Sequence, residues 1–223
     1  MLVGKAIAGR RDKVFVSTKF GIQFDPETRT TTGSIKTPQD IINSCEDSLK
    51  RLGTDYIDLF LFHLGDFPAE EAPMVRDTLE KLVDDGKIRY YGWSTSDPAR
   101  QEIFSLGKHY EGCEFALNVL EDDPVMCSFV EEKGITGLGR SPLAMGLLTG
   151  KYNQKTNFSK DDLRGKKCTC MDDLFCRWKT KRNIPEKTGK YPRDPYLKGT
   201  YPGTGLSLLD AGKKRQMYSD PRI

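Results

Sequence analysis

The stretch DYIDLFLFHLGD, Asp55 to Asp66, decides the reading of the fold. Six of the seven residues from Tyr56 to Phe62 are apolar or aromatic, and the run stops on His63, one of two histidines in the chain. A strand that is apolar almost throughout, rather than at alternate positions, belongs to a parallel sheet covered on both faces. In such sheets the C-terminal ends of the strands are where polar residues converge on ligands.

Working outward from this strand, the pattern alternates strand and helix. Lys13–Thr18 reads as a strand. Pro38–Arg51 reads as a helix, with Thr37 as N-cap, Pro38 in the first turn and an inward stripe through Ile41, Ile42, Cys45, Ser48, Leu49 and Leu52. Gly53 stops it. Tyr56–Phe62 is the next strand, Glu70–Asp85 a helix ended by Gly86, and Ile88–Trp93 a strand. Asp97 caps a helix that begins at Pro98 and runs to about Leu106. Cys113–Leu117 and Ile135–Leu138 are short strands flanking a helix from Pro124 to Lys133. A βαβα series predicts a parallel sheet with helical crossovers. No glycine-rich dinucleotide fingerprint follows any strand, so a (β/α)₈ TIM-barrel type of α/β fold is favoured over a doubly wound sheet. Residues 1–152 carry this pattern; residues 153–223 do not, and only GLSLLD (205–210) suggests a short element there.

Composition sets further bounds. With 37% apolar and 30% charged residues the chain is of ordinary globular make-up. No apolar run approaches membrane-spanning length, and MLVGKAIAGRRDK lacks the apolar core of a signal peptide, so a cytosolic, non-membrane protein is expected. The six cysteines are scattered, which fits reduced thiols. Cys168, Cys170 and Cys176 fall short of the four ligands of a structural zinc site, and no metal is expected. Residues 1–150 hold 17 basic and 24 acidic side chains, a balance of −7, whereas residues 151–223 hold 18 and 8, a balance of +10. The basic segment has no recognisable nucleic-acid module, so it is read as a solvated face, available to an acidic protein partner.

The predicted strand ends deliver Lys19, His63, Ser94–Thr95, Asn118 and Arg140–Ser141 to one mouth. Lys19 and His63 could polarise a carbonyl oxygen or tune a neighbouring acid. Equally, His63 could cap its strand and Lys19 could form a structural ion pair.

The segments VFVSTKFG, SLKRLGTDYIDLFLFH, LEKLVDDGKIRYYGWS and RSPLAMGLLTGKY, in this order over residues 1 to about 152, resemble the aldo-keto reductases. That family of (β/α)₈ barrels reduces aldehyde and ketone carbonyls with NADPH. The resemblance implies a tetrad of Asp, Tyr, Lys and His, of which Lys19 and His63 match the last two. The Tyr and Asp, expected upstream of LVGKAIAGR, have no match, and Tyr56, Tyr90 and Tyr91 are not convincing substitutes. Ser94 matches the serine that holds the nicotinamide carboxamide, Thr95 stands where asparagine is usual, and Glu114 stands where the family has glutamine. A carboxylate accepts from the carboxamide NH₂ but does not donate to its oxygen. Arg140 stands where the ring stacking on nicotinamide is expected, and Ser141, Leu143, Gly146 and Lys151 match the loop around the pyrophosphate. The first and eighth barrel strands, and the helix that clamps the 2′-phosphate, are not found. The resemblance therefore implies an NADP(H)-dependent carbonyl reductase with impaired or lost turnover, or a non-catalytic interaction protein or inactive fragment derived from one.

Overall fold

The structure is a computed structural model and describes residues 2–25, 27–28, 30–35, 37–152, 156–159, 162 and 164. Cys168, Cys170, Cys176 and the GLSLLD stretch lie outside the described residues. Among the described residues the chain divides into two compact units, one of residues up to Phe115 with 123–139, the other of 116–122 with those from Arg140.

The first unit is built on a sheet of five strands: β1 (Ser17–Phe20), β4 (Ile57–Phe62), β5 (Ile88–Ser94), β6 (Tyr110–Ala116) and β7 (Thr136–Arg140), in that spatial order. The pairs β1/β4, β4/β5 and β5/β6 are parallel. Every residue of β4 is buried, as its apolar run predicts. A hairpin of β2 (Ile22–Asp25) and β3 (Thr30–Ser34) follows β1 directly and forms a separate two-stranded sheet. The sequence did not suggest it, because its polar second strand shows no apolar alternation.

Between strands run α2 (Pro38–Leu52), α3 (Ala72–Asp84), α4 (Pro98–Ser105) and α5 (Pro124–Lys133), after a short α1 (Leu2–Ile7). Local chemistry explains their limits. Thr37 and Asp40 form a reciprocal capping box on α2, and Gly53, in the left-handed conformation at φ 67°, closes it with its N–H on Leu49 O. Asp97 and Asp123 cap α4 and α5. Burial follows the helical stripe: Ile41, Cys45, Ser48 and Leu49 are buried on α2, and Val75, Leu79 and Leu82 on α3. They cover an aromatic layer on the helix-facing side of the sheet, where Phe20 stacks on Phe60 at 4.3 Å and Phe104 lies 4.5 Å from Trp93. Burial pushes the thiols of Cys45 and Cys113 up to about 12, so both are packing groups rather than reactive ones.

The first strand begins later than its sequence suggests. Arg11–Lys13 form a 3₁₀ turn, and Arg11 donates to Val14 O at 2.6 Å and to Tyr56 O at 3.0 Å. Val16 N–H goes to the Asp58 carboxylate. Ladder pairing therefore starts at Ser17 and runs through Lys19 and Phe20, which pair with Leu61 and Phe62. Lys19 is thus inside β1 rather than after it. Likewise β6 starts at Tyr110, because Tyr91 N–H donates to His109 O and Tyr91 pairs with Tyr110.

Glu80 of α3 ties the helix layer to the sheet. Its carboxylate accepts from Tyr91 Oη at 2.7 Å and from His109 N at 3.0 Å, and it meets His109 Nδ1 at 2.6 Å. A side chain at Gly107 would sit 1.7 Å from Tyr91 Oη, so only glycine fits beside this cluster. Burial would raise the Glu80 carboxyl, but the hydrogen bonds from Tyr91 and His109 hold it below its ordinary value. A lowered carboxyl contributes stability above its unfolded-state pKa and loses it as pH falls through the folded one. The denaturation midpoint is accordingly expected to fall on acidification below about pH 4.5. In Glu80→Gln that fall should be shallower, as read from urea titrations between pH 6 and pH 3; parallel curves would contradict the assignment.

Candidate functional site

The register of the first unit places the polar candidates on one face. Lys19 pairs with Leu61, Leu61 with Gly92, Gly92 with Gly112, and Ser94 with Glu114. Because side chains alternate along a strand, Lys19, Leu59, Leu61, Ser94, Gly112 and Glu114 share the face opposite the aromatic layer, and His63 continues it beyond β4.

That face is concave. Two strands separate β1 from β6, so a flat sheet would hold them about 14 Å apart. Yet Lys19 Nζ lies 2.6 Å from both oxygens of Glu114. A Cβ on Gly112 would likewise come within 2.9 Å of Leu59 Cδ1, two strands away. The sheet therefore curls as a barrel wall does, with Leu59 and Leu61 inside it and the Lys19–Glu114 pair nearer the C-terminal ends of the strands.

The pair is asymmetric. Glu114 is buried, whereas the Lys19 side chain is 37% exposed. Glu114 Oε1 accepts a well-directed hydrogen bond from Lys19; Oε2 has the charge contact but is buried without a hydrogen bond of good geometry. Lys19 thus stands in the ion pair considered from the sequence, and its partner is the residue expected to face the carboxamide.

His63 is exposed, and its main-chain N–H donates to Phe20 O at 2.8 Å, which ties the ends of β1 and β4. Ser94 is buried at the end of β5. The Thr95 hydroxyl donates to Gly65 O at 3.0 Å and accepts from Asp97 N, so it braces the loop after β4. Gln101, which the sequence pattern does not single out, is fully buried on α4. Its Nε2 donates to Trp93 O and Thr95 O, at 3.0 and 2.9 Å, and its Oε1 accepts from Tyr110 Oη. A buried amide on a helical stripe is the one signal that could have marked it. Gln101→Leu is expected to cost about 1–3 kcal/mol, because two buried carbonyls and a hydroxyl lose their partner. Urea unfolding checks this; a loss under 0.5 kcal/mol would contradict the clamp.

The second unit carries the remaining candidates. Asn118 N–H and C=O exchange bonds with Glu121, and its Oδ1 accepts from Leu120 N at 2.9 Å, while Nδ2 is buried without a hydrogen-bond partner. From Arg140 the chain enters a tight loop in which Ser141, Ala144 and Met145 all have positive φ although none is glycine, and Gly146 sits at φ 97°. Ala144 N donates to Ser141 O and Gly146 N to Leu143 O. Buried Ala144 and Leu147, packed with Leu120, Leu148, Tyr152 and Phe158, hold the loop in shape. Non-glycine residues in this conformation cost about 1–3 kcal/mol each, and such strain concentrates at ligand-holding segments. Arg140, Leu143 and Lys151 are exposed.

Among the described residues no helix is long and apolar enough to cross a membrane, and no three metal-ligating side chains gather.

Comparison with known proteins follows this geometry. Residues 1–193 match the model of the Aldo/keto reductase family. The chain is 33% identical over 172 residues to the aldo-keto reductase str7 of Strobilurus tenacellus, covering 73% of this chain and 48% of that protein. It is 34% identical over 166 residues to the aldo-keto reductase yakc of Schizosaccharomyces pombe, whose name specifies NADP(+), covering 71% and 47%. The structure resembles that of a glycerol dehydrogenase from Gluconobacter oxydans with a TM-score of 0.67 at 31% identity, over 80% of this chain and 55% of that one. The chain spans about half the length of the curated relatives it matches. By its curled parallel sheet, its motifs and these matches, the chain belongs to the aldo/keto reductase family, with an incomplete barrel of the TIM type.

Proposed function

We propose that the chain binds NADP(H) and serves, with weak turnover of its own, the reduction of aldehyde and ketone carbonyls. The observation that carries the reading is the meeting of Lys19, Glu114 and Ser94 on the concave face, with a buried Glu114 oxygen still able to accept a hydrogen bond. A carboxamide presents both an NH₂ donor and a carbonyl acceptor. Glu114 Oε2, buried with only the charge contact to Lys19, can accept from the NH₂, so the residues of the first unit fit that end of such a group. NADP(H) specifically is supported by the naming of the yeast relative.

When bound, the cofactor supplies the hydride. Ser94 and Glu114 would hold its carboxamide, with Thr95 bracing the strand end. Arg140, Ser141, Leu143, Gly146 and Lys151 would hold the ring and phosphates. Lys19 and His63 would donate toward the carbonyl oxygen and orient it.

The weak point is the proton donor. Tyr56 lies between the guanidinium groups of Arg11 and Arg89, 3.8 and 4.3 Å from its ring, at the N-terminal end of β4. Tyr91 and Tyr110 are bonded to Glu80 and Gln101, and burial drives both hydroxyls far above the ordinary range. Tyr90 shares the concave face but pairs with Leu59, in register with Ser17 rather than Lys19 and two strands from it, so none of these four tyrosines lies in register with Lys19. This favours a second reading, a reductase-derived binding protein of the cytosol whose basic segment 151–223 meets an acidic protein partner.

Titration of the folded chain with NADPH, followed by cofactor fluorescence, tests the reading. Saturable binding with slow or no loss of NADPH on adding benzaldehyde is expected. No saturation would overturn it, and robust cofactor binding with no turnover at all would favour the second reading.

A further inference from the structure

The ion pair of Lys19 and Glu114 leaves a charge imbalance on the concave face. The ammonium lies 2.6 Å from both carboxylate oxygens, yet the partners differ in their access to water: the lysine side chain is 37% exposed and that of the glutamate 10%. Water and ions screen an exposed charge far better than a buried one, so the carboxylate's field reaches further than the ammonium's. Glu114 Oε1 accepts the hydrogen bond from Lys19, while Oε2 is buried with no hydrogen bond to spread its charge. Near the pair, β4 and β5 present Leu59, Leu61, Tyr90, Gly92 and Ser94 to this face, and none of these carries a charge.

A nicotinamide cofactor turns that imbalance into a sense of redox state. The carboxamide is attached to a ring that is positively charged in NADP⁺ and neutral in NADPH; the phosphates, riboses and adenine are the same in both. A glutamine could bond the carboxamide alike in the two forms. A carboxylate bonded to the same NH₂ also attracts the charged ring, and only the oxidised form offers it.

Resting on the NADP(H) reading above, we propose that Glu114 makes the site selective for the oxidised cofactor, NADP⁺ over NADPH. Oε2 accepts from the carboxamide and faces the cationic ring, while Lys19 holds Oε1 and keeps the carboxylate in place. Preferential binding of the oxidised form makes the bound couple more reducing than the free one.

Calorimetric titrations of the full chain with NADP⁺, NADPH and 2′,5′-ADP test this; the third probe carries the adenosine and its phosphates without the nicotinamide. NADP⁺ is expected to bind about tenfold more tightly than NADPH. Glu114→Gln, which removes the charge at nearly constant shape, should abolish or reverse that preference, and Glu114→Asp, which keeps the charge, should retain it. The ratio is the decisive quantity, because basic surface groups attract the phosphates of both forms alike. The affinity for 2′,5′-ADP should stay within about twofold in both variants. NADPH bound as tightly as NADP⁺ by the unsubstituted chain would overturn the assignment and leave cofactor binding standing. A ratio unmoved in Glu114→Gln, or a preference lost in both variants, would do the same. Neither dinucleotide bound by the folded chain would overturn the NADP(H) reading beneath it as well.

Discussion

Asp58→Ala is expected to cost about 3–5 kcal/mol of stability, an effect typical of breaking a buried charge network. Asp58 is 2% exposed near the N-terminal end of β4. Its Oδ2 accepts from the Arg11 guanidinium at 2.7 Å and from Val16 N at 2.8 Å, and Oδ1 lies 3.1 Å from Arg89. Arg11, itself only 15% exposed, also bonds Tyr56 O, Val14 O and Thr54 Oγ1. One carboxylate therefore joins the segment before β1 to β4 and β5. Alanine would leave the buried Val16 N–H without its acceptor and the Arg11 guanidinium without its counter-charge. Asp58→Asn keeps an acceptor for Val16 N and should lose less than alanine does. Urea unfolding of the three proteins checks the order; a loss below 1 kcal/mol for alanine would show that the network adds little.

Gly92→Ala is expected to be more severe, leaving no folded protein or destabilising it beyond about 4 kcal/mol. A Cβ at this position would lie 1.8 Å from Gly112 O and 2.6 Å from Gly112 C. The obstacle is the backbone of the neighbouring strand, so no rotamer change relieves it, and β5 and β6 would have to part. Gly112→Ala supplies the contrast. Its Cβ would meet the tip of the Leu59 side chain at 2.9 Å, which can turn away. Circular dichroism and thermal melts should rank the two variants accordingly. An unchanged melting temperature in Gly92→Ala would mean that the sheet is less tightly wound than the glycine pair indicates.

What the sequence revealed was local. The capping box at Thr37 and Asp40, the stop at Gly53, the caps at Asp97 and Asp123 and the unbroken apolar run of β4 each act over a few residues, so their elements could be read directly. The (β/α)₈ class followed from the order of those elements. The curl of the sheet did not follow. It shows only in contacts across many residues, such as Lys19 to Glu114, 95 positions apart. For the same reason the strand order alone points Lys19 toward His63 and leaves its carboxylate partner illegible. Gln101 is hard to read because two of its three partners are main-chain carbonyls, which carry no sequence signal. The hairpin was missed because Thr30–Ser34 is polar and pairs with its neighbour largely in the open.

Chemical-shift mapping of NADPH on the ¹⁵N-labelled chain tests the central claim most directly, because it reports where the cofactor goes as well as whether it binds. Saturable shifts are expected at the ends of β1, β5 and β6, at Lys19, Ser94, Thr95 and Glu114, and in the loop from Arg140 to Lys151. Saturable shifts confined to other surfaces, or no saturable shift in a chain shown to be folded, would contradict a nicotinamide site at this mouth.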